Sequence, residues 1–191
     1  MRGLRRRLRS AAARLRCGVT LLAVALLLPL AARAADAADP CAAFTWDVRH
    51  ERALFGGTPQ ALAAGTTAAN APALSPDTLY QLQLSALSQV TLAVPAGRHA
   101  SSPSAYAGLA TLTLAQAGPY RISLDVPIWV DVIAGGNAIR SQDFQGRPGC
   151  NAPHKVVTFV LPAATRLTLQ FSGDSAKTVK VAVSRSPQPA P

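Results

Sequence analysis

Acidic side chains are scarce in this chain of 191 residues: nine Asp and Glu stand against 19 Lys and Arg, a formal net charge of +10. Glu51 is the single glutamate, aromatic residues make up 5%, and there are three cysteines. The longest apolar run, Cys17 to Leu30, has 14 residues, short of the about 20 that a membrane-crossing helix needs. No stable span is therefore expected. Dense D-x-D-x-D/N spacing is missing, which excludes an EF-hand loop. Gly56-Gly57 and Gly135-Gly136 lack the spacing and the lysine of a phosphate-binding loop. Neither a G-x-S-x-G elbow nor an S-x-x-K pair occurs, so the common serine-nucleophile signatures are absent.

The charge is concentrated at one end. Eight of the 19 basic residues lie within the first 33 positions, where no acidic residue falls, leaving 11 against nine and a net of +2 from Ala35 onward. An arginine-rich start, the run Cys17 to Leu30 and the small-residue site Ala32-Arg33-Ala34 together read as a secretory signal peptide over 1–34. The remainder has no basic stripe, which argues against nucleic acid as a partner. The expected location is the periplasm or the exterior. Removing 1–34 takes away Cys17 and leaves Cys41 and Cys150, an even pair that reads as one disulfide in an oxidising compartment.

About 157 residues then remain, enough for one domain with its own core. Apolar residues alternate with polar ones in short runs, the period of a strand with one buried face. The runs are Leu82/Leu84, Val90/Leu92/Val94, Leu112/Leu114, Tyr120/Ile122/Leu124/Val126, Ile128/Val130/Val132, Val157/Phe159/Leu161, Leu167/Leu169/Phe171 and Val179/Val181/Val183. Gly, Pro, Asn and Ser punctuate them. The expectation is an all-β chain, a single jelly-roll-like β-sandwich of eight or nine antiparallel strands over 78–184. Residues 35–77 are expected as a cap and loop, with a short helix or turn over 44–55 and a loop over 56–77. Residues 185–191 are expected as a disordered tail.

Candidate chemistry is sparse. His50, Glu51 and His154 form the one set that the proposed disulfide would gather, and two histidines with a carboxylate suit non-haem iron. Adjacent residues point apart on a helix or a strand, which weakens that set. His99 falls in a Ser/Pro/Gly loop. Asp131 shares a strand face with Trp129 and is expected to be solvated or paired with Arg121 or Arg140. Trp46 and Phe144, which lie outside clean alternating runs, are the candidate ligand-contacting aromatics. No catalytic residue is assigned.

The blocks CAAFTWDVRHERALF (41–55), GPYRISLDVPIWVDV (118–132) and FQGRPGCNAPHKVVTFVLPA (144–163) resemble a family of small exported proteobacterial proteins of unknown role. Some members carry the label homogentisate 1,2-dioxygenase, which would imply iron. That enzyme's iron-ligand motif is not matched at His50, Glu51, His99 or His154. The strand pattern is also similar to pre-peptidase C-terminal β-sandwich domains, accessory modules of secreted enzymes. The function expected is an envelope accessory or binding module, without a cofactor, for a protein or glycan.

Overall fold

The computed structural model describes residues 39–95 and 104–187. The signal peptide expected over 1–34, His99 and the last four residues of the expected tail lie outside the described residues. Among the described residues, a 3-10 turn at Pro40–Ala43 is followed by a single α-helix, α1, over Arg49–Phe55. Twelve strands follow among the described residues: β1 Gln60–Ala63, β2 Ala73–Leu74, β3 Leu79–Gln83, β4 Ser85–Ala86, β5 Tyr106–Thr113 and β6 Gly118–Leu124, then β7 Trp129–Ala134, β8 Asn137–Ile139, β9 Asp143–Gly146, β10 Lys155–Leu161, β11 Arg166–Asp174 and β12 Thr178–Arg185.

The strands form two facing sheets. Sheet A has the order β1-β3-β12-β6-β10-β9, and sheet B the order β2-β5-β11-β7-β8, with β4 also paired to β5. The protein is an all-β sandwich with a short N-terminal helix. Alternation explains the layering. Leu82, Ile122, Leu124, Phe159, Val181 and Val183 from sheet A meet Leu112, Val130, Val132, Leu167, Leu169 and Phe171 from sheet B in one core. Each such side chain removed from water contributes roughly 1.5–3 kcal/mol, and strands so short cannot gain this except against a second layer.

Two segments depart from the expectation. Residues 56–77 are not wholly loop: β1 pairs parallel with β3, and β2 parallel with β5. Their small side chains hid the strands from a periodicity argument, but the edges of β3 and β5 supply partners for their backbone. Close approach here is real. A Cβ on Gly108 of β5 would lie 2.5 Å from Ala64 Cβ. The alternating run Val90/Leu92/Val94 is not a strand; a 3-10 turn at Leu87–Gln89 precedes it. The amides of Ala93 and Val94 donate to Gln170 Oε1 at 2.8 and 3.2 Å, and Gln170 Nε2 donates to the Val94 carbonyl at 3.1 Å. A buried side-chain amide thus does for this segment what a neighbouring strand would have done. Arg185, expected as the first residue of the tail, is instead the last residue of β12.

The N-terminal cap lies on sheet A. Phe55 packs with Leu79 and Ala182, and Glu51, one helical turn earlier, is buried on the same side. Cys41 and Cys150 form the expected disulfide, with Cα atoms 5.0 Å apart across a separation of 109 residues. It ties the cap to the loop between β9 and β10.

Candidate binding cleft at the open edge of the sandwich

Residues 140–142 carry the chain from β8, the last strand of sheet B, to β9, the last strand of sheet A. Phe144 on β9 stands opposite Val157 on β10, so the two share the inward face. Val157 is buried at 5%, yet Phe144 is 64% exposed. The reason is position: β9 is outermost, and the facing β8 has three residues, so the opposite layer gives Phe144 little to pack against.

Trp129 begins β7. Ile128, Val130 and Val132 turn into the core, which places Trp129 on the alternate side, 42% exposed. Its indole is nevertheless held. Nε1 donates to Asp131 Oδ1 at 2.9 Å, and Asp131 Oδ2 accepts from Gln170 Nε2 at 3.3 Å. Gln170 is fully buried and carries the three bonds to Ala93 and Val94 described above. The relay runs from an exposed ring through a carboxylate to a locked amide, the kind of support that pre-organises a contact surface.

Lys155 completes the wall. Its Nζ lies 5.2 Å from the centroid of the Trp129 ring and donates to the Ile128 carbonyl at 3.1 Å. Burial pushes its ammonium below the ordinary lysine value, against the attraction of Asp131, which raises it. Three adjoining hollows share Trp129. One of ≈ 50 Å³ has Val130, Val157, Ser141, Phe144 and Lys155 on its walls. Another of ≈ 400 Å³ is bordered by Phe144, His154, Lys155 and Asp174. The third, ≈ 310 Å³, lies towards Asp131, Arg140 and Ser141. Two aromatic rings, an apolar floor and cationic groups at the rim equip this edge to hold a ligand by contact and charge.

The other residues singled out by the sequence are distributed differently. Trp46 is half-buried, with the Arg121 guanidinium 5.3 Å from its ring centroid. Arg121 pairs with Glu51 and not with Asp131: Nη1 lies 3.3 Å from Glu51 Oε1 and donates to the Asp47 carbonyl at 2.7 Å. Ser184 Oγ donates to the same Glu51 oxygen at 2.9 Å. His50 is exposed on the helix, its Nε2 2.7 Å from Asp77 Oδ1. His154 Nδ1 donates to the Cys150 carbonyl at 3.2 Å. His50, Glu51 and His154 are therefore not gathered into an iron-binding set. The disulfide does draw 41 and 150 together, but the helix turns Glu51 inward onto Arg121 and leaves His50 outside. Among the described residues, no group of three or more His, Cys, Asp or Glu could hold a metal ion.

Trp129 lines all three hollows, and sequence reasoning did not place it first among the aromatics. Its signal was present in the parity of β7, because Ile128 and Val130 inward imply Trp129 outward. Among the described residues, no helix is long and apolar enough to cross a membrane. Compared with protein-family models, curated proteins and solved structures, the chain matches none.

Proposed function

We propose that this protein is an exported, non-catalytic binding module of the cell envelope, whose ligand contact is the cleft between Trp129 and Phe144. The observation that carries the reading is the held indole: an exposed tryptophan whose Nε1 is fixed by Asp131, itself fixed by the buried Gln170. Fixing an exposed ring costs side-chain entropy. That expense has a physical return when the ring must already be in place for a ligand. Export is supported by the pattern of residues 1–34 and by a disulfide, a bond that persists in oxidising compartments. The partner class is an envelope protein or glycan.

Tryptophan fluorescence of the processed protein, titrated with envelope glycans and with solubilised envelope proteins, tests the reading. The expected result is a saturable change that survives Trp46→Phe and is lost in Trp129→Phe and in Phe144→Ala. Binding that persists in both cleft variants would place the contact elsewhere. Retention of the full-length chain in the cytoplasm on cell fractionation would remove the export reading.

A further inference from the structure

Resting on the cleft as the ligand site, we infer that the ligand is an acidic saccharide, a sugar ring lying against Phe144 with its carboxylate on Lys155. The argument begins with charge. Lys155 and Arg140 both border the cleft, and among the described residues neither has an ion-pair partner. The acids nearby are already engaged. Asp131 accepts from Trp129 on one oxygen and from Gln170 on the other, Asp143 Oδ1 accepts from the Phe144 amide, and Asp174 Oδ1 from the Ala176 amide. The cleft therefore has cationic donors to offer, while each nearby carboxylate already accepts at least one hydrogen bond from within the protein.

Lys155 has further donors to give. An ammonium carries three N–H groups; one goes to the Ile128 carbonyl, and that bond together with the Trp129 ring aims the head group. Burial already draws its head group partly from water, so an arriving carboxylate meets a cation with less hydration to displace and forms a charge-assisted hydrogen bond. Phe144 supplies the open ring. The negative face of an aromatic ring attracts the polarised C–H groups along one side of a pyranose. The largest hollow, ≈ 400 Å³, lies in the range of small-ligand sites.

An extended peptide adding to the sheet fits this edge less well. Peptides of that kind gain affinity from a free strand edge. Here residues 43–46 run beside β9: the Thr45 and Trp46 amides donate to Gln145 Oε1, and Arg147 Nε donates to the Ala43 carbonyl. The edge of sheet B offers only the three residues of β8.

The test is isothermal titration of the processed protein with a panel of uronate and sialic acid oligosaccharides and with their methyl esters, which keep the ring and remove the charge. The acids are expected to bind more tightly than the esters by roughly tenfold or more, and added salt should narrow the gap. Lys155→Met should bring acid and ester to the same affinity, and Phe144→Ala should weaken both, with far-UV circular dichroism unchanged. Equal binding of acid and ester by the wild-type protein would overturn the acidic-ligand inference while leaving the cleft as the site. Failure of every saccharide, with a protein partner bound through Trp129 instead, would overturn the saccharide class altogether. Binding of the acids that Phe144→Ala does not weaken would overturn both this inference and the cleft reading beneath it.

Discussion

Glu51, the chain's only glutamate, lies buried with its Oε1 3.3 Å from Arg121 Nη1, although 70 residues separate them. Their side chains are 1% and 9% exposed, and they join the cap to sheet A. The pairing is incomplete: among the described residues, Glu51 Oε2, Arg121 Nε and the neighbouring Ser123 Oγ have no hydrogen-bond partner. Removing one partner strands the other charge. Glu51→Leu and Arg121→Met are each expected to cost about 3–5 kcal/mol, and the double substitution less than their sum. Urea unfolding of the four proteins in the cycle measures this directly. Additive costs would mean that the pair contributes no coupling.

The Cys41–Cys150 bond closes a loop over a separation of 109 residues. In the chain-entropy model a loop of this size stabilises the folded state by about 4–5 kcal/mol. Cys41→Ser with Cys150→Ser is expected to lower the melting temperature clearly while preserving the β circular dichroism signal. The Glu51–Arg121 pair and the Phe55 contact remain to hold the cap. Hydrogen exchange in the double variant should therefore rise first over 39–48 and 147–153.

Gln170 supports two features at once, the docking of residues 93–94 and the Asp131–Trp129 bond. Gln170→Leu keeps the bulk but removes every one of these bonds, leaving the amides of Ala93 and Val94 without their partner. A loss of about 1–3 kcal/mol is expected from such a change, with faster amide exchange at Ala93 and Val94. In a Trp46→Phe background, the Trp129 emission should also become broader and its anisotropy lower. Unchanged anisotropy would show that Asp131 holds the indole without Gln170.

Lys155 is a base whose folded-state pKa is lowered, by burial first. Between that lowered value and the ordinary lysine value of about 10.4, the unfolded chain holds the proton more tightly than the folded one. Stability due to this group therefore rises with pH across that window, and at lower pH its charge is a net cost. Lys155→Met is expected to be as stable as wild type, or more so, near neutrality. Thermal melts in rising alkali should show the advantage of the variant shrinking. A variant clearly less stable at neutrality would mean that the Trp129 contact outweighs the cost of burying the charge.

The strand pattern was legible because alternation is a local property. Ile122 and Leu124, or Leu167 and Leu169, must share a face whatever lies opposite. The helix at Arg49–Phe55 falls within the segment 44–55 expected as a short helix or turn, and the disulfide follows by elimination once Cys17 is set aside. Residues 60–63 and 73–74 escaped because their pairing depends on free edges of β3 and β5, which no composition encodes. Val90, Leu92 and Val94 alternate like a strand, but the backbone of Ala93 and Val94 bonds to the side chain of Gln170 instead of to another ladder.

The sequence by itself determined the layer type, the inward set of residues and the net charge of +2 beyond residue 34. Only the tertiary structure decided which polar groups meet. Glu51 and Arg121 each looked free to take other partners, as iron ligand or as mate to Asp131, until the cap packed on sheet A and enclosed both. Trp129, Phe144 and Lys155 became neighbours because two edge strands end at the same border of the sandwich. Pair contacts between distant residues depend on strand order and register, which alternation leaves undetermined. The scarcity of acid in the chain acquires a local meaning there, since Lys155 and Arg140 border the cleft without an ion-pair partner among the described residues.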